Sequence, residues 1–488
     1  MEHTSAWLSY KNKSEDLEHL AEEYRLFISD NKTERECAKT AIKLAEEAGY
    51  RPLESFVVQN KGLAPGDKIW AHAQGKALML VHMGEAPLEE GLNILGAHID
   101  SPRLDIKQNP LFEAGEMAYL DTHYYGGIKK YQWVTTPLAL HGVIAKTDGS
   151  IVEVCLGERD SDPVFCVTDL LIHLARQQMT KQANEVIEGE ALDLLVGNKP
   201  FYVSKESLAN TAHEGNKEDP CEPEGKELVK GALVELMREH YGIAEEDFLS
   251  AELEVVPAGP ARDLGFDRSM IIGYGQDDRV CAYTSLRAQF DFAEGIPHKT
   301  AVCLLVDKEE IGSVGASGMA SQFFENTVAE IIELARVEGS TEARVSADLL
   351  LRRCLAASKM LSSDVSAGFD PAYASVFETK NTAYCGRGLV LNKYTGAGGK
   401  SGSNDARAEF VALLRRIFDE AGVHYQTAEL GRVDAGGGGT IAYIPAAYGM
   451  DVIDSGVAVL SMHSPWEVSS KVDIYEAYQG YKAFLAHA

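Results

Sequence analysis

Residues 300–307, TAVCLLVD, form an almost unbroken apolar run, and Lys308, Glu309 and Glu310 follow it at once. A short apolar run without alternation fits a strand buried on both faces in the middle of a sheet. Carboxylates at the mouth of such a strand need a compensating partner, because an isolated buried charge is costly. The run therefore predicts a sheet covered by helices on both sides, with a polar site where its strands end.

Strand-like and helical runs lie on either side of this segment. ALMLVHM (77–83) and LNILGAH (92–98) precede it as strands, and residues 15–29 read as a helix with Leu17, Leu20, Tyr24 and Phe27 in register. Asp30 or Asn31 is the expected cap of a second helix. SMIIGYG (269–275) and VAVLSMH (457–463) read as strands, and residues 278–293 and 404–418 as helices. A final helix begins at a capping-box pattern, Ser470 to Asp473. Between 108 and 260 the texture changes to short β-rich runs with turn residues, such as ALHGVIAK and SIVEVCLG. Within it, the polar, acidic stretch 204–227 reads as a mobile loop. The expected fold is one discontinuous α/β domain, residues 1–107 and 261–488, interrupted by a smaller β-rich domain, residues 108–260.

Charge narrows the function. The 488-residue chain carries 46 basic and 74 acidic residues, a net charge of −28. Phosphate binding needs a basic surface, so nucleic acid is not an expected partner, nor is an anionic membrane. No run of about 18 apolar residues suggests a membrane span. The first residues lack the basic-then-apolar pattern of a secretory signal. Eight cysteines are scattered without a CxxC pair, which is cytosolic usage and not a thiolate zinc site.

In open α/β sheets, ligands bind beyond the carboxyl ends of the strands. Hard ligands recur there. LNILGAH ends in His98, with Asp100 just after; SMIIGYGQ runs into Asp277 and Asp278; the central run leads to Glu309 and Glu310; MLSSD presents Asp364; VAVLSM leads to His463. Each alone has a plain structural explanation, such as an N-cap for Asp278 or a solvated face for the Glu pair. Together, two histidines and several carboxylates without cysteine are the ligand set of a hydrolytic zinc, manganese or cobalt centre. One carboxylate can bridge two ions about 3.5–4 Å apart. The Glu309-Glu310 pair can supply both a ligand and a free general base.

The motifs GAHIDSPRLDIK, GQDDR, DKEEIGS, SSD, GRVDAGGGGTIA and MHSPWE occur in this order. In this set the chain resembles the M18 metallopeptidases, the aspartyl aminopeptidase and aminopeptidase I family, over essentially its whole length. It is closer to a bacterial branch than to the eukaryotic aspartyl enzymes. The resemblance implies a metallo-aminopeptidase removing single N-terminal residues from peptides with a free amine. It implies two divalent ions, zinc first and cobalt or manganese as alternatives, and a β-rich insertion that serves dimerisation within a dodecamer in the cytoplasm. Matched motif by motif, it makes His98 and Asp364 ligands of one ion, Glu310 and His463 ligands of the other, and Asp277 the bridge. Asp100 would orient His98, and Glu309 would be the general base. Asp278 reads instead as a cap on the 278–293 helix.

Two regions depart from the eukaryotic pattern. Where a histidine of the insertion would reach a neighbouring subunit, VTDLLIHL places Asp169, and His173 is expected to pack structurally. For the side-chain pocket, Asn392 stands where a lysine is expected, with Lys393 and Lys400 as further candidates, so acidic and neutral preferences both remain open. The glycines at 436–439 permit either a close substrate approach or a plain turn, and Asp434 is a candidate for the substrate amine. A non-catalytic scaffold of the same fold, and a related metal deacylase or carboxypeptidase, are the competing readings.

Overall fold

The computed structural model describes residues 4–12, 14–202, 227–336 and 345–488. The 204–227 stretch, read above as a loop, lies outside these except for its last residue. The chain forms two compact units, Met1–Ser101 with Pro260–Ala488, and Pro102–Gly259.

The first unit holds a nine-stranded sheet. Its order is Arg51–Pro52, Lys68–Ala73, Ala77–His82, Ala301–Val306, Asn93–His98, Lys359–Ser362, Asp451–Gly456, Leu389–Asn392 and Tyr425–Thr427. Four neighbours run parallel at its centre. Val306 pairs with His98, Ser362 with Gly96, and Ser362 with Asp454. Their carboxyl ends therefore open on one edge of the sheet.

Both faces of this sheet are covered, which explains the unbroken apolar run. Cys303 and Leu305 join one core with Leu95, Leu361 and Ile453, while Val302, Leu304 and Val306 join another with Ile94, Met360 and Val452. The first core is closed by helices Glu15–Asp30, Glu34–Glu47, Gln276–Asp291, Ala408–Ala421 and Lys471–His487, the second by Phe323–Ala335 and Ala347–Ala357. Burial of each such side chain contributes about 1.5–3 kcal/mol.

Several sequence expectations shift. The strands Met270–Gly273 and Ala458–Leu460 belong to a separate five-stranded sheet, with Arg262–Leu264, Glu467–Ser470 and Ser366–Ala367. The site is thus assembled from two sheets, not one edge. Asp451–Gly456, the strand that does enter the large sheet, reads as a polar stretch and was missed. The second helix is capped by Thr33, with a full capping box to Glu36, rather than by Asp30 or Asn31. At the last helix Ser470 is the N-cap but makes no side-chain cap bond. Asp473 instead accepts the backbone N–H groups of Gly386 and Gly388, each at 2.6 Å.

The second unit contains a seven-stranded sheet ordered Ile151–Leu156, Leu138–Ala145, Ala251–Pro257, Arg103–Ala114, Met117–Tyr125, Leu194–Gly197 and Cys166–Val167. Its neighbouring strands are antiparallel. No disulfide links the described cysteines.

Candidate metal centre

The central strands deliver the first group. His98 is the last residue of its strand and is buried. Its Nδ1 lies 3.0 Å from the Asp100 carbonyl oxygen and 3.4 Å from the Asp100 carboxylate. Its Nε2 lies 3.2 Å from Asp277 Oδ1. Burial favours a neutral ring, but hydrogen bonds to Asp100 and Asp277 outweigh it and raise the pKa well above the usual value.

Asp277 stands at the start of helix Gln276–Asp291, with non-helical backbone angles. Its second oxygen, Oδ2, lies 3.2 Å from His463 Nε2. The two oxygens of one carboxylate thus face two different imidazoles. Burial raises the Asp277 pKa, but these two histidines pull it below the usual carboxylate range. His463 is held in a left-handed conformation (φ 62°) just beyond its strand, and its Nε2 is also 3.6 Å from Glu310 Oε2.

Glu309 and Glu310 begin a short 3-10 turn after Lys308, itself at φ 66°. The turn is pinned from below. Asp100 Oδ1 accepts the N–H of Glu309 at 3.1 Å and Asp100 Oδ2 that of Glu310 at 3.2 Å. Burial pushes the Glu309 pKa up to about 7 and that of Glu310 well above its usual value.

Donor atoms of His98, Asp277 and Glu310 come within 4.8 Å of one another, as do those of His98, Asp278 and Asp364. All seven residues expected from the sequence, His98, Asp100, Asp277, Glu309, Glu310, Asp364 and His463, meet here. Asp278, expected to cap the 278–293 helix, does stand just before the regular part of that helix, and its carboxylate also joins the site. The Asp278 carboxylate is fully buried beside the Cys281 side chain and the His98 backbone, and Glu310 Oε1 is buried without a hydrogen-bond partner. Asp278 therefore faces the same site as Asp364. Burial, and the proximity of Asp278, raises the Asp364 pKa well above normal. Several buried carboxylates beside two imidazoles fit divalent cations, which would compensate their charge.

One residue was missed. Glu467, the last letter of MHSPWE, is 1 % exposed and accepts the N–H of Asp277 at 3.1 Å and of His463 at 2.7 Å. An acid among apolar and strand-forming neighbours was the available signal.

The specificity candidates are compensated or turned elsewhere. Lys393 and Lys400 both pair with Asp405, the latter at 2.9 Å, and Lys400 also lies 3.6 Å from the Tyr394 ring centre. Asn392 is buried and donates to Ser366 Oγ. Asp434 is exposed, at φ 69°. The glycine run packs backbone on backbone: a Cβ on Gly436 would lie 1.9 Å from the Leu430 carbonyl oxygen, and one on Gly437 2.3 Å from that of Gly396. Asp169 accepts bonds from Leu170 N and Gln178 Nε2. His173 is exposed in the single chain.

Imidazoles and carboxylates gathered where strands of two sheets end form the donor set that a metal-dependent hydrolase uses. The aminopeptidase I zinc metalloprotease (M18) family model matches residues 27–485. A probable M18 family aminopeptidase 1 of Clostridium acetobutylicum is 54% identical over 485 residues, 99% of this chain and 98% of that protein. The crystal structure of aminopeptidase I from Clostridium acetobutylicum superposes with a TM-score of 0.88 at 52% identity over 99% of both chains. That of the M18 aminopeptidase from Thermotoga maritima does so with a TM-score of 0.90 at 41% identity over 100% of both. The chain belongs to the M18 family of aminopeptidases. It is a metallo-aminopeptidase, and the scaffold and deacylase readings find no support among these relatives.

Proposed function

We propose that the chain removes single N-terminal residues from peptides by means of two divalent ions, most simply zinc, that share the Asp277 carboxylate. The observation that carries this reading is the position of Asp277, whose two oxygens face His98 and His463, each at 3.2 Å. His98 and Asp364 would complete one site, with Asp278 beside them, and Glu310 and His463 the other. Bound there, the ions would polarise the scissile carbonyl and acidify the attacking water.

The chain's own residues do the rest. Glu309, partly buried at the mouth of the central strand, takes the proton of the attacking water and passes it to the leaving amine nitrogen. Asp100 holds the His98 ring and the Glu309-Glu310 turn in one frame. Since Asp405 already pairs with both candidate lysines, an acidic substrate side chain would have to displace it. Neutral N-terminal residues should therefore be released at least as fast as acidic ones.

The insertion Pro102–Gly259 would mediate self-association. Leu170, Leu171, Ile172 and Leu174 are 48%, 57%, 63% and 70% exposed, an unusual concentration of apolar surface in one segment. A fold neighbour at 19% identity and TM-score 0.74, S. cerevisiae mApe1, is described as a dodecamer; we infer assembly of dimers into a similar particle here. No helix among the described residues is long and apolar enough to cross a membrane, and cytosolic cysteine usage supports a cytoplasmic location.

The test is a chromogenic panel with free and blocked amines (Asp, Glu, Leu, Met, Lys), run before and after chelation and with zinc, cobalt or manganese restored. Chelation-sensitive release from free-amine substrates alone is expected. Release from blocked substrates at equal rate would refute the reading.

A further inference from the structure

We infer that Glu467 is a positioning residue that holds Asp277 and His463 at their mutual spacing and so sets the affinity of the ion on the His463 side. The inference rests on the two-ion reading above. Glu467 opens the strand Glu467–Ser470 and pairs across the sheet with Gly273, four residues before Asp277. Its carboxylate then turns toward the two segments that leave the sheet. Oε2 accepts the N–H of Asp277 at 3.1 Å, and Oε1 that of His463 at 2.7 Å. Its own carbonyl accepts Gln276 Nε2 at 2.6 Å.

Both N–H groups belong to irregular backbone. Asp277 has φ −81° and ψ 106° inside a nominal helix, and His463 has φ 62°. Such groups need an acceptor from outside their own segment. One buried carboxylate supplies it to both, so a shift at either segment is transmitted to the other. A ligand's supporting contacts fix its direction and commonly govern metal affinity by about 10–100-fold. His463 serves only one of the two ions, so the loss should fall unequally.

Glu467→Gln keeps the size of the side chain but leaves one acceptor oxygen, and its amide N–H₂ would face a backbone N–H. The experiment titrates metal-free full-length protein with cobalt(II), followed by visible absorption and by chelator competition, for wild type, E467Q and H463A. Wild type should show two binding steps, and H463A should lose one of them. E467Q should weaken that same step by about 10–100-fold and the other by less than about threefold, with activity returning at excess cobalt. Equal weakening of both steps would mark a general structural role and overturn the proposal. So would unchanged affinities in E467Q beside a two-step wild type. A wild-type chain with a single step would overturn the two-ion reading and this inference with it. If E467Q does not regain the wild-type circular dichroism spectrum, E467D, which keeps the charge but is too short to reach both segments, is judged by the same criteria.

Discussion

The Asp100 carboxylate accepts the backbone N–H of Glu309 at 3.1 Å, and its other oxygen accepts that of Glu310 at 3.2 Å. A residue two places beyond one proposed ligand thus sets the turn that carries the proposed base and a second proposed ligand. Asp100→Asn leaves one acceptor where two are needed. It should weaken metal binding by about 10–100-fold and lower kcat even at saturating metal. Zinc titration with parallel kinetics checks this, and wild-type values for both would refute the positioning role.

In the proposed mechanism Glu309 is the carboxylate left free for proton transfer. Glu309→Gln removes the base but not its hydrogen-bonding shape. The expected loss in kcat is about 10²–10⁴-fold with metal content unchanged. Metal analysis beside steady-state kinetics separates this from ligand loss, in which both would fall together.

Gly456 lies where the Asp451–Gly456 strand passes behind Asp364. A Cβ there would sit 1.9 Å from the Asp364 carbonyl oxygen and 3.0 Å from Cys281 Sγ. Gly456→Ala should therefore cost about 1–3 kcal/mol of stability and displace Asp364. Thermal unfolding and zinc titration of the variant are the readouts, and a variant with both unchanged would show that this backbone yields freely.

Much of this was legible in the sequence because strand ends are. A continuous apolar run that stops at charged residues marks both a central strand and its mouth, as 300–310 does. Side chains that act through backbone N–H groups leave no such pattern, which is why Glu467 was missed and Asp473 was read as a cap. That the strands leading to Asp277 and His463 belong to a second sheet was also hidden, since short apolar runs do not say which sheet they join. Asp278 reads as a cap from its place before a helix, and only the fold shows its carboxylate beside His98 and Asp364.

His82 gives a pH dependence independent of the centre. It is buried opposite Lys68 and beside Phe292, and burial, aided by Lys68, lowers its pKa to about 4. Between about pH 6.5 and 4 the unfolded chain takes up a proton that the folded chain does not. Stability should therefore fall as pH falls through that window. After allowance for solvent screening the share is about 1–2 kcal/mol. His82→Leu should lose correspondingly less stability from pH 7 to pH 4.5 in urea titrations, and an identical pH slope would contradict the assignment.

The exposed apolar segment of the insertion predicts an assembly effect. Leu171 and Leu174 are 57% and 70% exposed. The double variant L171D/L174D should weaken self-association by at least about tenfold, because charge in an apolar contact is poorly compensated. Sedimentation across a concentration series would show a smaller particle, whereas an unchanged mass would place the contact elsewhere.

The most direct test of the centre is metal stoichiometry against recovered activity. Chelated protein is titrated with zinc while bound metal and release from a free-amine substrate are followed together. Saturation is expected at two ions per chain, with full activity only when both are bound and loss of both capacity and activity in Asp277→Ala. Full activity with one ion per chain, or an Asp277→Ala variant that still binds two, would contradict the two-ion reading.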